Sequence, residues 1–203
     1  MNLKLRTKAI KRMAIVRIFM RRKGGSMRTV FEAIKSRSST RGYTDEKLTE
    51  EEVQKIVLAG LHAPTATNRQ EIRFSVVNGD NPVLAELDEE KNKSFGNGRP
   101  GAVNFYYGAP TLFILSAEEG FKWSRLDAGI AVQNMALEAE ELGLGSVIIG
   151  CIEGAMWGEK REYFDKAFKI PEGYKFEIAL AVGHKKITKD PHSFDEKALV
   201  NYV

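Results

Sequence analysis

The sequence has few of the residues on which disulfide and metal chemistry depend. Cys151 is its only cysteine, so the chain cannot form an intrachain disulfide or a cysteine metal cluster. Its three histidines, His62, His184 and His192, are too scattered for a metal site, and no HExxH motif is present. These absences predict a reducing compartment, which we take to be the cytoplasm, and a protein that carries neither a metal ion nor an iron–sulfur module.

Long apolar runs and nucleotide-binding motifs are also missing. No run approaches the roughly 18 apolar residues of a membrane-spanning helix, so we expect no membrane partner. The GxGxxG turn of a dinucleotide-binding fold and the Walker motif are both absent. What remains is the composition of an ordinary globular protein, 43% hydrophobic and 29% charged, over 203 residues. This length fits one domain.

Acidic residues are absent from residues 1–26, which carry nine Lys or Arg side chains. Residues 27–203 hold the other 22 basic side chains against 27 acidic ones, a net charge of −5. The leader has no apolar core with a cleavage site, so it is a poor secretory signal. Three interpretations stay open: an upstream start codon with Met27 as the usual beginning, a basic amphipathic arm for anionic surfaces, or a helix packed on the body. We expect residues 27–203 to form the single folded domain.

Hydrophobic periodicity predicts alternating helices and strands. The first predicted helix is 29–36, with Val30, Phe31, Ala33 and Ile34 near one face, and the second runs from its cap at Thr49 to before Pro64. The others are 83–91, a long helix capped by Asp127, and 157–168. The predicted strands are 72–77, 111–116, 147–149 and 176–182. Residues 94–107, with three glycines, are predicted to form a mobile loop.

The long helix is predicted to be the central helix of the core. Its buried stripe would consist of Val132, Met135, Ala136, Ala139 and Leu142. Glu138, Glu140 and Glu141 are predicted to face solvent, and Gly143 and Gly145 to stop the helix.

Two segments have side chains suited to a polar ligand. Residues 37–41, Arg-Ser-Ser-Thr-Arg, place two guanidinium groups and three hydroxyls in five positions, which suits a phosphate. In residues 63–70, Pro64 breaks the preceding helix, and the amides of Asn68 and Gln70 each offer a donor and an acceptor to a polar planar ring. Taken alone, the first segment is also typical of a solvated basic turn, and the second of a capped helix-to-strand loop.

A third segment, residues 143–150, closes a helix and enters a strand that ends at Ile149 and Gly150, where a ligand can approach the backbone closely. In this order the three segments resemble the nitroreductase family of FMN-dependent NAD(P)H oxidoreductases, over roughly residues 27–184. The resemblance implies an α+β fold in three layers, with a mainly antiparallel sheet between helices. It also implies an intertwined homodimer with two FMN sites at the interface.

The resemblance assigns cofactor contacts to particular residues. It implies that the FMN phosphate and ribityl chain are held by Arg37, Ser38, Ser39 and Arg41, and that the flavin ring is held, largely across the interface, by Pro64, Thr65, Ala66, Asn68 and Gln70. It also implies that the backbone at Ile149 and Gly150 lies near flavin N5 and that Asn92 faces the flavin. Gly183, His184 and Lys185 would end the site, with Lys185 reaching the phosphate. The chain departs from the usual residues at Thr65, Ala66, Arg69 and Glu71.

The implied reaction passes hydride from NAD(P)H to FMN and then electrons to a nitroaromatic, a quinone or a related small acceptor, by a ping-pong mechanism. Such chemistry belongs to the cofactor and requires no catalytic side chain. Cys151 has no local His–Asp pattern, so we expect no nucleophile there. Aromatic residues that could wall an acceptor pocket are Phe95, Phe105, Tyr106, Tyr107, Phe121 and Trp123.

Two other functions remain open at this point. One is a reductive dehalogenase or flavin-fragmenting enzyme of the same fold, which would differ in substrate. The other is a non-enzymatic adaptor that binds nucleic acid or membrane through the basic leader. We expect the enzyme, with no nucleic-acid partner.

Overall fold

A computed structural model describes residues 29–94, 104–191 and 193–203. The leader, Phe95, most of the predicted mobile loop and His192 lie outside the described residues, so the predictions made for them stay predictions. The elements are α1 (Val30–Ser36), α2 (Glu50–Leu61), β1 (Arg73–Asn78), α3 (Val83–Ser94), β2 (Thr111–Glu118), α4 (Ser124–Glu141), β3 (Leu144–Ile149), α5 (Glu153–Met156), α6 (Arg161–Ala167), β4 (Tyr174–His184) and α7 (Glu196–Leu199).

The four strands form one sheet in the order β1-β2-β4-β3, and every neighbouring pair is antiparallel. Nearly every residue of β2 is buried. Because successive side chains of a strand point to opposite faces, both faces of the sheet must be covered. α3, α5 and α6 pack on one face, and α2 and α4 pack on the other. The predicted three-layer α+β fold is therefore confirmed.

The first two helices begin where their cap residues predict. Thr29 and Thr49 each accept a hydrogen bond from the backbone N–H three residues on, and Glu32 and Glu52 reach back to the cap N–H. Such capping boxes satisfy two of the backbone donors that a helix start leaves open. The start predicted at Thr49 is confirmed.

α4 differs from its prediction at both ends. It begins at Ser124, so Asp127 lies buried inside its first turn and is not its cap. Glu140, predicted to face solvent, is also buried. Val132, Met135, Ala136 and Ala139 form the predicted buried stripe, whereas Leu142 is only partly buried. The helix packs against α2, β2, β3 and β4, which confirms it as the central helix.

Of the two glycines predicted to stop α4, only Gly143 does so. Gly143 closes α4 with φ 81°, a left-handed conformation that costs glycine little. Gly145 does not stop the helix but lies inside β3, where an added Cβ would be 2.7 Å from Thr40 Oγ1. The helix predicted over 157–168 is shorter than expected, because α6 begins only at Arg161, and α5 was not predicted.

The apolar face of α1 is not covered by the described residues of the chain. Val30, Phe31 and Ile34 are 73%, 72% and 48% exposed, and only Ala33 is buried. Isolated apolar side chains on a surface are common, but several on one short helix form a patch suited to a contact with another molecule or with residues outside the described ranges. Within the described part of the chain, no helix is both long and apolar enough to cross a membrane.

Candidate functional site

The segment of residues 37–41 lies along the beginning of β3. Ser39 forms a parallel bridge with Ser146, and the N–H of Thr40 donates to the Ser146 carbonyl at 2.9 Å. The segment can approach this closely because Gly145 has no side chain. Tyr43 forms a further bridge with Lys185, just after β4. The structure therefore brings together the two regions that the sequence predicts at a phosphate.

The guanidinium groups of this segment have no acidic partners among the described residues. Arg37 ends α1, and Arg41 lies with its Cζ 5.7 Å from the centre of the Tyr107 ring. Lys189 adds a third cation, because its Nζ donates to the Ser39 carbonyl at 3.1 Å. Three cations around two hydroxyls suit an anion with several oxygens. Sequence reasoning missed Lys189, since nothing in its local pattern indicates that the chain after β4 returns to Ser39.

Lys185 has a different environment from the one predicted. Its Nζ donates at 2.6 Å to Glu140, a carboxylate that is only 4% exposed at the end of α4. A buried carboxylate requires a charged partner, and Lys185 supplies it. The geometry thus assigns Lys185 an anchoring role and leaves Lys189 as the lysine that contacts the 37–41 segment.

Gly183 and His184 also have packing roles. An added Cβ on Gly183 would lie 2.5 Å from Pro110 and 2.9 Å from Tyr43, so the glycine is required by its own neighbours. The carbonyl of His184 accepts from Thr44 N–H at 3.0 Å, and its Nε2 lies 3.7 Å from Glu46. Both residues contact the chain that follows residues 37–41, named the basic segment. They thereby hold this segment and its cations in place.

Residues 64–70, which we name the ring loop, are held in shape by hydrogen bonds of their own side chains. Thr65 Oγ1 accepts from Gln70 N–H at 2.9 Å, and Gln70 Nε2 donates to Asn68 Oδ1 at 2.9 Å. The Nδ2 of Asn68 and the Oε1 of Gln70 form no hydrogen bond with any described residue. An exposed donor and an exposed acceptor therefore remain side by side, the mixed pattern predicted for the edge of a polar ring.

The ring loop is strained. Thr67, Asn68 and Gln70 have φ values of 56°, 54° and 52°, in the left-handed region that residues other than glycine rarely adopt. Each such residue costs on the order of 1–3 kcal/mol and persists only where its surroundings hold it. Here Asp127 Oδ2 accepts from Ala66 N–H at 2.8 Å, across 61 residues of sequence. The acid predicted as a helix cap is therefore an anchor of this loop.

A second anchor of the ring loop comes from Arg69, one of the positions that depart from the family pattern. Its guanidinium donates twice to Glu118 Oε2, at 2.8 and 2.6 Å, and lies 4.7 Å from the centre of the Phe121 ring. The departure thus ties the loop to the end of β2.

The end of β3 is open to ligands. Gly150 is exposed, and an added Cβ would meet only Ile178 at 3.6 Å, which is an ordinary contact. No described neighbour requires a glycine there. Ile149 beside it is buried. Burial raises the pKa of the Cys151 thiol, which reduces its thiolate fraction and agrees with the expectation that it is not a nucleophile.

Asn92 is not brought next to the ring loop of its own chain. It lies on α3, on the opposite face of the sheet from α2, and its Nδ2 is 3.4 Å from Asp88 Oδ2. Phe105, one of the predicted pocket aromatics, is buried in the core, whereas Trp123 is exposed. No group of three or more potential metal ligands occurs in the described ranges.

The two halves of the candidate site lie at opposite ends of α4. The ring loop is anchored at Asp127, and the basic segment lies beside the Glu140–Lys185 pair. These two acids are 13 residues apart in one helix, which corresponds to about 20 Å. The structure therefore separates, within one chain, two segments that the sequence assigns to one ligand.

Comparisons with known proteins give a consistent result. A model of the nitroreductase family matches residues 34–184. The crystal structure of a nitroreductase with bound FMN from Desulfitobacterium hafniense DCB-2 is 29% identical, with a TM-score of 0.78, and covers 88% of this chain and 100% of its own.

Two relatives of known sequence extend this result. A protein of Archaeoglobus fulgidus, provisionally named NADH dehydrogenase/NAD(P)H nitroreductase, is 27% identical over 177 residues, which are 84% of this chain and 94% of that protein. An FMN reductase of Bacillus subtilis that uses NAD(P)H is 26% identical over 181 residues, which are 78% of this chain and 66% of that protein.

The geometry of Lys185 gives a testable prediction. Lys185→Met removes the ammonium partner of buried Glu140, so we expect the free energy of unfolding to fall by on the order of 3 kcal/mol. Chemical denaturation measures it. Lys47→Met is the matched control, because Lys47 pairs with Asp80 at 3.0 Å on the surface, where such a pair contributes less than about 1 kcal/mol. Equal stability of Lys185→Met and the wild type would show that Lys185 is not an anchor.

Proposed function

We infer the function from one premise: the chain belongs to the nitroreductase family, whose model matches residues 34–184. We propose that it is an FMN-dependent oxidoreductase that uses NAD(P)H to reduce a nitroaromatic, a quinone or a related small acceptor. The lone cysteine further supports a cytoplasmic location. Bound FMN would supply the redox chemistry, accepting hydride from the nicotinamide and passing electrons to the acceptor.

The described residues fit this cofactor. Arg37 and Arg41 have no acidic partners among the described residues, so their charges are available to a phosphate dianion. Ser38 and Ser39 lie between them. In the ring loop, Asn68 Nδ2 can donate to a carbonyl of the flavin ring, and Gln70 Oε1 can accept from an N–H of that ring. The observation that carries the proposal is this strained loop with a donor and an acceptor left unpaired.

The chain's own residues bind and orient, and none is required to transfer a proton. Gly150 leaves the backbone at the end of β3 open, which permits the close approach that a flat ring needs. Anchoring of the ring loop at Asp127 and Glu118 fixes the orientation of its two amides before the ligand arrives. Preorganisation of this kind lowers the entropic cost of binding.

We propose that the working unit is a homodimer whose sites contain residues of both chains. The phosphate and ring segments of one chain are separated along α4, and two copies packed antiparallel would bring opposite ends of the helix together. α1 and α4 also present, on the same layer of the fold, apolar side chains that no described residue covers. They are Val30, Phe31, Ile34 and Leu126.

The other functions considered above differ in what supports them. A dehalogenase or flavin-fragmenting enzyme would use the same site, so only the substrate separates it from our proposal. The adaptor depends on the leader, which lies outside the described residues. The preorganised ring loop favours the enzyme, because an adaptor that binds through its leader has no need of backbone strain at residues 67–70.

Steady-state turnover tests the proposed reaction. The purified protein is expected to show flavin absorption bands and to oxidise NADH or NADPH with a quinone or nitroaromatic acceptor. Donor and acceptor would occupy one site in turn, since the sequence contains no second nucleotide motif. Double-reciprocal plots should therefore give parallel lines. Intersecting lines without competition between donor and acceptor would refute the shared site, and a colourless protein that stays inactive with added FMN would refute the enzyme.

The dimer can be tested at Leu126, which is 58% exposed on α4. Light scattering should give the mass of two chains for the wild type, whereas Leu126→Arg should shift it towards one chain and weaken FMN binding about tenfold or more, because binding is linked to assembly.

Tyr163→Arg is the control for this change. It places the same charge on α6, on the opposite face of the sheet, where Glu86 already contacts residue 163. This variant should keep both mass and affinity. A wild-type monomer that binds FMN stoichiometrically would contradict the dimer.

A further inference from the structure

Directly after the ring loop lies a buried acid whose environment is unusual. Glu71 is 2% exposed, and neither of its carboxyl oxygens accepts a hydrogen bond from another described residue. Buried polar groups are nearly always hydrogen-bonded, because an unpaired one loses its interaction with water without compensation. An ionised Glu71 in this position would be strongly unfavourable.

The group that faces Glu71 is a second buried carboxyl. Asp127, on α4, is 3% exposed, and its carboxyl lies close enough to that of Glu71 for a hydrogen bond once one of the two carries a proton. Its Oδ2 already accepts from Ala66 N–H. Two ionised carboxylates in contact repel each other, whereas one proton between them converts the contact into a hydrogen bond. Glu71 is the natural donor, since Asp127 already acts as an acceptor towards the ring loop.

We propose that Glu71 keeps its carboxyl proton in the folded protein and donates a hydrogen bond to Asp127, so that the pair positions the ring loop through Ala66. Glu71 is thus a positioning residue, and its effect on FMN rests on the function proposed above. The proton joins both ends of the loop: Ala66 near its start and Glu71 after its end are held by the same aspartate.

The charges around Glu71 agree with this assignment. Burial raises the pKa of Glu71, and the hydrogen bond and charge of Asp127 raise it further. Its own backbone N–H and the charge of Arg69 act in the opposite direction. Arg69 is engaged by Glu118 and so is only a partial counter-charge.

The sign of the pH dependence follows from the raised pKa. The folded state binds the proton more tightly than the unfolded state does. The contribution of Glu71 to stability is therefore fully present below its ordinary value of 4.5 and is lost as pH rises through the raised pKa.

The experiment compares wild type and Glu71→Gln in two measurements from about pH 5 to about pH 9. Thermal unfolding without FMN shows whether Glu71 carries a proton in the folded protein. FMN titration of the apoprotein shows whether that proton holds the ring loop in its binding position. Glutamine donates from its amide at every pH. We expect the wild type to lose thermal stability and FMN affinity with rising pH relative to the variant, up to about tenfold in affinity per pH unit above the pKa of Glu71. The ratio of the two dissociation constants cancels the titration of the FMN phosphate.

Two further variants separate positioning from a general effect of burial. Glu71→Ala removes the donor and should weaken FMN binding throughout the pH range. Glu177→Gln is the matched control, because Glu177 is also buried, with an oxygen that lacks a partner, but lies on β4 and pairs with Lys175 rather than with the ring loop. It should alter the pH dependence of unfolding and leave the affinity for FMN unchanged.

The outcomes decide each part separately. Identical unfolding profiles of wild type and Glu71→Gln would overturn the shared proton. Different unfolding profiles with equal FMN affinities at every pH would overturn the positioning role. A protein that never binds FMN would refute the proposed function, while the unfolding profiles would still decide whether Glu71 holds the proton.

Discussion

The packing of α4 against the sheet is the constraint on which both halves of the site depend. Its apolar stripe fixes the helix in the core. A buried acid near each end, Asp127 and Glu140, must then find a partner, because an unpaired buried carboxylate is strongly destabilising. Asp127 binds the ring loop through Ala66, and Glu140 binds Lys185 beside the basic segment. The helix therefore sets the distance between the two ligand-binding segments, and that distance is the physical argument for a site shared between chains.

Local patterns predicted most of the fold. The cap at Thr49, the apolar stripe of α4 and all four strands could be read from periodicity, because each depends on neighbours within a few residues. The errors concern residues whose partners are distant in sequence. Asp127 resembles a helix cap and Glu140 resembles a solvated acid, yet their partners lie 61 and 45 residues away. Helical periodicity contains no information about such partners. α5 was not predicted for a simpler reason, since a helix of four residues is too short to show a helical period.

The candidate site could be predicted in chemistry but less well in geometry. Side-chain types identified the guanidinium pair and the two amides, and the structure leaves these groups available. What each glycine or lysine does could not be read in the same way. Gly183 is required by Pro110, Lys185 is held by Glu140, and Lys189 reaches Ser39 only because the chain turns back after β4. The departures at Arg69 and Glu71 proved informative, because both lie where the ring loop is anchored.

The central claim, that each FMN site combines the basic segment of one chain with the ring loop of another, is tested most directly by mixing two defective chains. Arg37→Ala and Gln70→Ala should each bind FMN weakly alone. Refolded together in equal amounts, they should form heterodimers that contain one intact site each, so that about one quarter of all sites regain wild-type affinity in a fluorescence titration. A mixture in which no tight sites appear would contradict the account and place both segments of a site in the same chain.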